Sequence, residues 1–224
     1  MTVQSEAVAP GSDHRDTERL EAFSDGVFAI AVTLLVLELV VPRLGEHASA
    51  AALLTQLGHQ WPSYLSFLTS FATVLIMWIN HHEVFRLVAR VNTLLLFANG
   101  ILLLGVTVVP FPTAVVGEYL TTPAASTACA LYAGVFALIN LSYNFFWWSI
   151  VRSEGVLKPG VSPAWIRAIT RGYLSGFLPY LLAAAVALWN PYVSVGVCFC
   201  LWILWGLMGR SGEPHVECNM VAGS

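Results

Sequence analysis

Apolar residues run along this chain in six long blocks separated by short polar stretches, and the length of the blocks decides how they are read. A helix crossing roughly 30 Å of hydrocarbon at about 1.5 Å per residue needs about 20 apolar residues. The pattern predicts spans over residues 18–41, 61–80, 93–117, 124–151, 164–189 and 191–209. Pro42 closes the first, and Pro62 sits in the first turn of the second, where a missing N–H costs little. The connection over residues 43–60 is polar and alanine-rich, with room for a short interfacial helix. Residues 81–92 form the next connection, carrying Glu83, Arg86 and Arg90. Pro110-Phe-Pro112 should bend or end the third span, and Gly172, Gly176 and Pro179 break up the fifth. Residues 1–17 read as a disordered tail, 18–210 as the membrane domain and 211–224 as a flexible tail. The first apolar run is too long for the core of a cleaved signal peptide, so the first helix is expected to be retained.

Composition agrees with a membrane solvent. The 224 residues are 57% hydrophobic and 10% charged, against about 25% charged in soluble domains. A net charge of −3 leaves no basic surface for nucleic acid. Six spans put Arg15, Arg19, Arg86, Arg90, Arg152, Lys158, Arg167, Arg171 and Arg210 on one side and Arg43 alone on the other. That split predicts a multi-pass protein of the cell membrane with both termini cytoplasmic. Trp61, Trp147, Trp148, Trp165 and Trp189 fall near span ends, as interfacial tryptophans do. Cys129, Cys198, Cys200 and Cys218 lack metal or redox spacing and read as filler, with Cys198 and Cys200 on different sides of one helix.

A charge inside a span is costly in hydrocarbon and marks a functional candidate. Asp25 and Glu38 qualify in the first span. Asp25 lies near the helix N-terminus, which favours negative charge, with Arg19 near in sequence; a structural ion pair or cap and a transport role are both open. Glu38, close to Pro42, either reaches external water or concentrates cations at a pore mouth. Between them Thr33 is the sole polar side chain, and Ile30, Leu34 and Leu37 form one stripe at i, i+4, i+7. Taken alone, such a stripe is a packing seam or a lipid face. His81, His82 and Glu83 invite a metal reading, but adjacent helical residues diverge by about 100° and the His-Glu-x-x-His spacing is absent, so no metal site is expected. A structural polar contact, able to tune a pH response, fits the histidines better.

Arg19-x-x-x-Phe23-Ser24-Asp25, continued by Gly-Val-Phe-Ala-Ile30-Ala-Val-Thr33-Leu34-Leu-Val-Leu37-Glu38, resembles the signature first helix of the transmembrane protein 175 family, the endolysosomal potassium channels and their prokaryotic relatives. The resemblance extends to Trp78-x-x-His81-His82-x-x-Phe85, to Asn99 and to Pro110-Phe-Pro112-Thr113, covering about residues 19–117. One copy of the motif and one set of six spans is similar to the prokaryotic form.

This resemblance implies an all-α, polytopic membrane protein with six transmembrane helices. It implies a homotetramer in lipid whose pore is lined by four copies of the first helix. No usual potassium selectivity loop is expected, and no Thr-Val-Gly-Tyr-Gly run occurs. It places the constriction at Ile30, Leu34 and Leu37 and a potassium preference at Thr33. Arg19, Phe23, Ser24, Asp25, Trp78, His81 and Asn99 would hold the cytoplasmic end of the helix. No cofactor is expected, potassium being the permeant ion. An apolar ring gates by dewetting and offers no oxygens to replace the hydration shell, so the implied activity is a potassium-preferring cation leak. The rival is a secondary transporter, which needs broken helices paired across two related halves; the fifth span offers one interruption without a match. An enzyme is disfavoured because no nucleophile, base and orienting group occur at motif spacing.

Overall fold

A computed structural model describes residues 12–45 and 49–208. Of the tails expected over residues 1–17 and 211–224, residues 1–11 and 211–224, with Cys218, lie outside the described residues, as does Arg210. Among the described residues the chain is helical: α1 Ser12–Leu34, continued by a 3₁₀ turn Leu35–Glu38, then α2 Ala50–His59, α3 Trp61–Phe85, α4 Thr93–Val108, α5 Pro110–Tyr119, α6 Ala125–Arg152, α7 Pro163–Ala187 and α8 Pro191–Met208. Among the described residues four stretches are long and apolar enough to cross a membrane: Arg15–Glu38, Trp61–Phe85, Thr93–Tyr119 and Ala125–Arg152. Pro191–Trp205 is a shorter apolar helix. The 25-residue α7 is long enough, but Arg167 and Arg171 dilute its apolar character.

Each boundary has a local cause. Helix α1 starts at Ser12, so residues 12–17 are helix rather than tail, and it tightens into the 3₁₀ turn before Pro42. The interfacial helix is α2, whose first turn is capped by Ser49 accepting from the Ala52 N–H at 3.1 Å. Helix α3 runs five residues past the expected end at Asn80, bringing His81, His82 and Glu83 into regular helix instead of a connection. The Asn92 side chain caps α4 by accepting from the Leu95 N–H at 2.8 Å. Pro110 ends α4 and opens α5 because it has no N–H for the preceding turn. The Thr113 hydroxyl donates to the Val109 carbonyl at 2.7 Å, closing the break. Cys198 is buried and Cys200 exposed, on opposite sides of α8.

Two further expectations change. Helix α7 is continuous through Gly172, Gly176 and Pro179. Its glycines serve packing: small residues let helices approach closely in lipid, and a Cβ on Gly176 would lie 2.3 Å from the Trp205 ring and 2.5 Å from the Asn140 amide nitrogen. Gly176→Ala should lower stability by about 1–3 kcal/mol through overpacking, whereas Gly134→Ala, with open space around it, should be neutral or better. Thermal melts in detergent check the pair, and equal melts would remove the packing role from Gly176. Trp147 is not interfacial; it is buried, donating its Nε1–H to Thr170 Oγ1 at 2.8 Å.

The connections 86–92 and 153–162 clasp each other through one antiparallel bridge, Val88 with Leu157. The Ala89 N–H donates to the Val156 carbonyl at 2.7 Å and the Lys158 N–H to the Leu87 carbonyl at 2.8 Å. Gly155, at φ +71°, supplies the left-handed residue this turn requires. The clasp gathers Arg86, Arg90, Arg152 and Lys158 at one end of the bundle. That end also holds the start of α1, because His82 Nδ1, near the end of α3, lies 2.9 Å from Glu21 Oε1.

Candidate functional site

Helix α1 has two faces. Ser24, Phe28, Ala31 and Leu35, spaced i, i+4, i+7, i+11, are all at most 1% exposed and pack on α3 and α4. The other face reads Arg19, Phe23, Gly26, Ile30, Leu34 and Leu37. At about 100° per residue these form one stripe, and Leu37 stays on it because residues three apart eclipse in a 3₁₀ turn. Phe23 is 64% exposed, Ile30 59%, Leu34 43% and Leu37 69%. The protein buries one side of this helix and leaves an apolar stripe of about four turns without a partner among the described residues.

Buried polar contacts hold the packed side. The Ser24 hydroxyl donates to the Leu20 carbonyl at 2.8 Å and accepts from Asn99 Nδ2 at 2.9 Å. Asn99 Oδ1 lies 2.8 Å from His81 Nε2, which must therefore carry the proton. Ser24, Asn99 and His81 are each at most 1% exposed, so α1, α4 and α3 are joined by a chain of bonds shielded from competing water. The imidazole sits among three rings, with centroids 5.2 Å from Phe28, 4.6 Å from Phe85 and 5.3 Å from Phe146. Its Nδ1 has no partner among the described residues. Beside this chain the Trp78 Nε1–H donates to Asp25 Oδ1 at 2.8 Å, and Trp78 stacks on His82 at 6.0 Å.

Five of the seven residues expected in the anchor, Ser24, Asp25, Trp78, His81 and Asn99, thus come together. Arg19 and Phe23 do not: both are exposed and extend the apolar stripe towards the end of the bundle. The reason is periodicity, since Arg19 and Asp25 are six residues apart and point about 120° apart around the helix. Thr33 flanks the stripe, exposed, and its hydroxyl bonds its own helix at Ala29 O (3.0 Å) and Ile30 O (2.9 Å). Glu38 is half-buried at the end of the 3₁₀ turn, before a segment tied down by Gln60 Nε2 donating to the Val40 carbonyl at 2.9 Å. Among the described residues no cluster of histidine, cysteine or carboxylate has the geometry of a metal site.

Sequence reasoning missed two features. The Glu21–His82 contact adds a second tie between α1 and α3, legible only once His82 is known to be helical. Ser70, Thr113 and Tyr132 form a further buried cluster, with Ser70 Oγ 2.6 Å from Thr113 Oγ1 and 3.1 Å from the Tyr132 hydroxyl. It joins α3, α5 and α6 across separations that no local pattern reports.

An all-helical, multi-pass membrane protein, with its first helix anchored on one side and bare on the other, is the class these features define. Residues 19–110 match the family described as the endosomal/lysosomal potassium channel TMEM175. A potassium channel of Chamaesiphon minutus is 46% identical over 199 residues, covering 89% of this chain and 98% of the relative. One of Streptomyces collinus is 42% identical over 173 residues, covering 77% and 82%. The crystal structure of a lysosomal potassium-selective channel TMEM175 homolog from Chamaesiphon minutus superposes with a TM-score of 0.79 at 45% identity, covering 88% of this chain and all of that one. The chain belongs to the TMEM175 family.

Proposed function

We propose that this chain is the subunit of a potassium-preferring cation channel of the cell membrane, conducting as a leak through a pore lined by α1. The observation that carries the reading is the bare stripe Ile30–Leu34–Leu37 on a helix whose opposite face is bonded into the bundle. Bulky apolar residues with no partner among the described residues are covered either by acyl chains or by other copies, and four copies about one axis place this stripe in a constriction. Membership of a family whose close relatives bear the name potassium channel supports conduction over solute exchange.

The constriction gates by dewetting and selects weakly, because apolar side chains offer no oxygens to a dehydrating ion. Thr33 supplies the nearest hydroxyl; donating its proton to its own helix leaves the oxygen lone pairs free to accept a cation. Glu38 concentrates cations at the outer mouth. Arg19 and Phe23, on the stripe, face the inner mouth. Six spans with both termini cytoplasmic accord with the clasp, which collects the basic connections at the end where α1 begins. Planar-bilayer recording of the purified full chain tests the proposal: single-channel currents reversing towards the potassium potential are expected. Saturable, proton-coupled counterflow without unitary events would instead establish a transporter.

A further inference from the structure

Helix α7 carries a second bare stripe that the channel reading does not use. Arg167, Arg171, Leu174 and Leu178 are spaced i, i+4, i+7, i+11, and all four are exposed, the two leucines at 62%. Directly opposite lie Gly172, Gly176, Tyr180, Ala183 and Ala187, all buried. The two arginines therefore point away from the bundle. Among the described residues neither has an ion pair or a hydrogen bond, while Glu21 and Glu83 are engaged by His82 and Arg86.

Arg171 lies eight residues past Pro163, about 12 Å along the helix. An arginine on an outward helix face in lipid holds its guanidinium where it meets water or an anionic headgroup. The bond from Trp147 to Thr170 sets this level of α7 against the aromatic end of α6, where Trp148 is 48% exposed. Exposed tryptophan belongs at the headgroup level of a bilayer. Two guanidiniums about 6 Å apart along the axis suit the oxygens of one phosphodiester, since each offers planar donors in a fork. The leucines below them continue the same line into the hydrocarbon.

We propose that Arg167 and Arg171 bind the phosphate of an anionic phospholipid of the cytoplasmic leaflet, with its acyl chain lying along Leu174 and Leu178. The occupant is a lipid and not a second copy of the chain, because the stripe pairs two unneutralised positive charges with an apolar run. A copy of the same stripe would set like charges together. The inference rests on the membrane orientation proposed above.

Native mass spectrometry of the full chain, given equal phosphatidylglycerol and phosphatidylcholine of matched chain length, tests the site. Wild type should retain phosphatidylglycerol preferentially, and R167Q/R171Q should lose that preference by at least about tenfold. Arg86→Gln, at the same end but off the stripe, should keep it. Excess inorganic phosphate should not displace the lipid, since the acyl contacts are absent from the free ion. Should the double variant not survive purification, R171Q alone reads the same preference, with about a fivefold loss expected. Equal retention of both lipids by wild type, unchanged preference in the variants, or disulfides between copies at L174C or L178C would each overturn the site. Retention is read without current, so a chain that binds the lipid but does not conduct overturns the channel reading alone.

Discussion

Replacing Asn99 with leucine should cost this protein more than any other single change to its polar residues. The amide is the middle member of the chain Leu20–Ser24–Asn99–His81, so its loss breaks two interhelical contacts and strands the His81 Nε2–H in a box of three phenylalanines. Side-chain bonds between membrane helices are worth about 0.6 kcal/mol on average and about 1.7 at most. A buried donor left without a partner adds about 1–3 kcal/mol. A total of about 2–4 kcal/mol is expected, read as a lower melting temperature and a fraction of the wild-type folded yield. Removing both polar partners relieves the stranded group, so N99L/H81L should recover part of the loss. A variant N99L that melts with wild type would show that the buried chain contributes nothing to holding α1.

The second large effect separates the two faces of α1 at neighbouring positions. Leu34 is 43% exposed on the bare stripe, whereas Leu35 is fully buried on the packed one. Leu34→Ala should raise single-channel conductance severalfold or weaken potassium preference, because a smaller ring stays wetted at the same helix separation. Its effect on stability should be small. Leu35→Ala should do the reverse, leaving the unitary current near wild type while costing about 2–5 kcal/mol through the cavity it opens. Bilayer recording and thermal melts on both variants give four readings. A conductance change at Leu35 with none at Leu34 would reverse the assignment of the faces.

These faces show what the sequence can and cannot disclose. The stripe at Ile30, Leu34 and Leu37 is visible from spacing alone, as are the break at Pro110 and the opposite sides of Cys198 and Cys200, because each follows from local geometry. Spacing does not say which of two apolar faces a bundle will cover, since Phe28, Ala31 and Leu35 make an equally good stripe. Exposure decides it, and exposure is a tertiary property. Arg19 and Phe23 illustrate the same limit: grouped by motif with Ser24 and Asp25, they are turned away from them by helical phase. The extension of α3 to Phe85 escaped notice because polar residues at a span end look like a connection. Here His81 is helical and buried because it has partners in α1, α4 and α6, while the helical His82 and Glu83 stay partly exposed. The continuity of α7 was hidden for a related reason, as glycine and proline signal breaks in water, whereas between membrane helices glycine serves close packing and proline is tolerated.

The most direct measurement concerns whether the bare stripe faces water along an ion path. With the four native cysteines replaced, a charged methanethiosulfonate reagent is applied to bilayer-recorded Ile30→Cys, Leu34→Cys and Leu37→Cys, with Phe28→Cys and Ala31→Cys as buried controls. A pore-lining α1 predicts loss of current at the three stripe positions and none at the controls. Untouched currents at the stripe, with labelling there by a lipid-soluble thiol reagent, would show that α1 faces lipid and that the ions take another route.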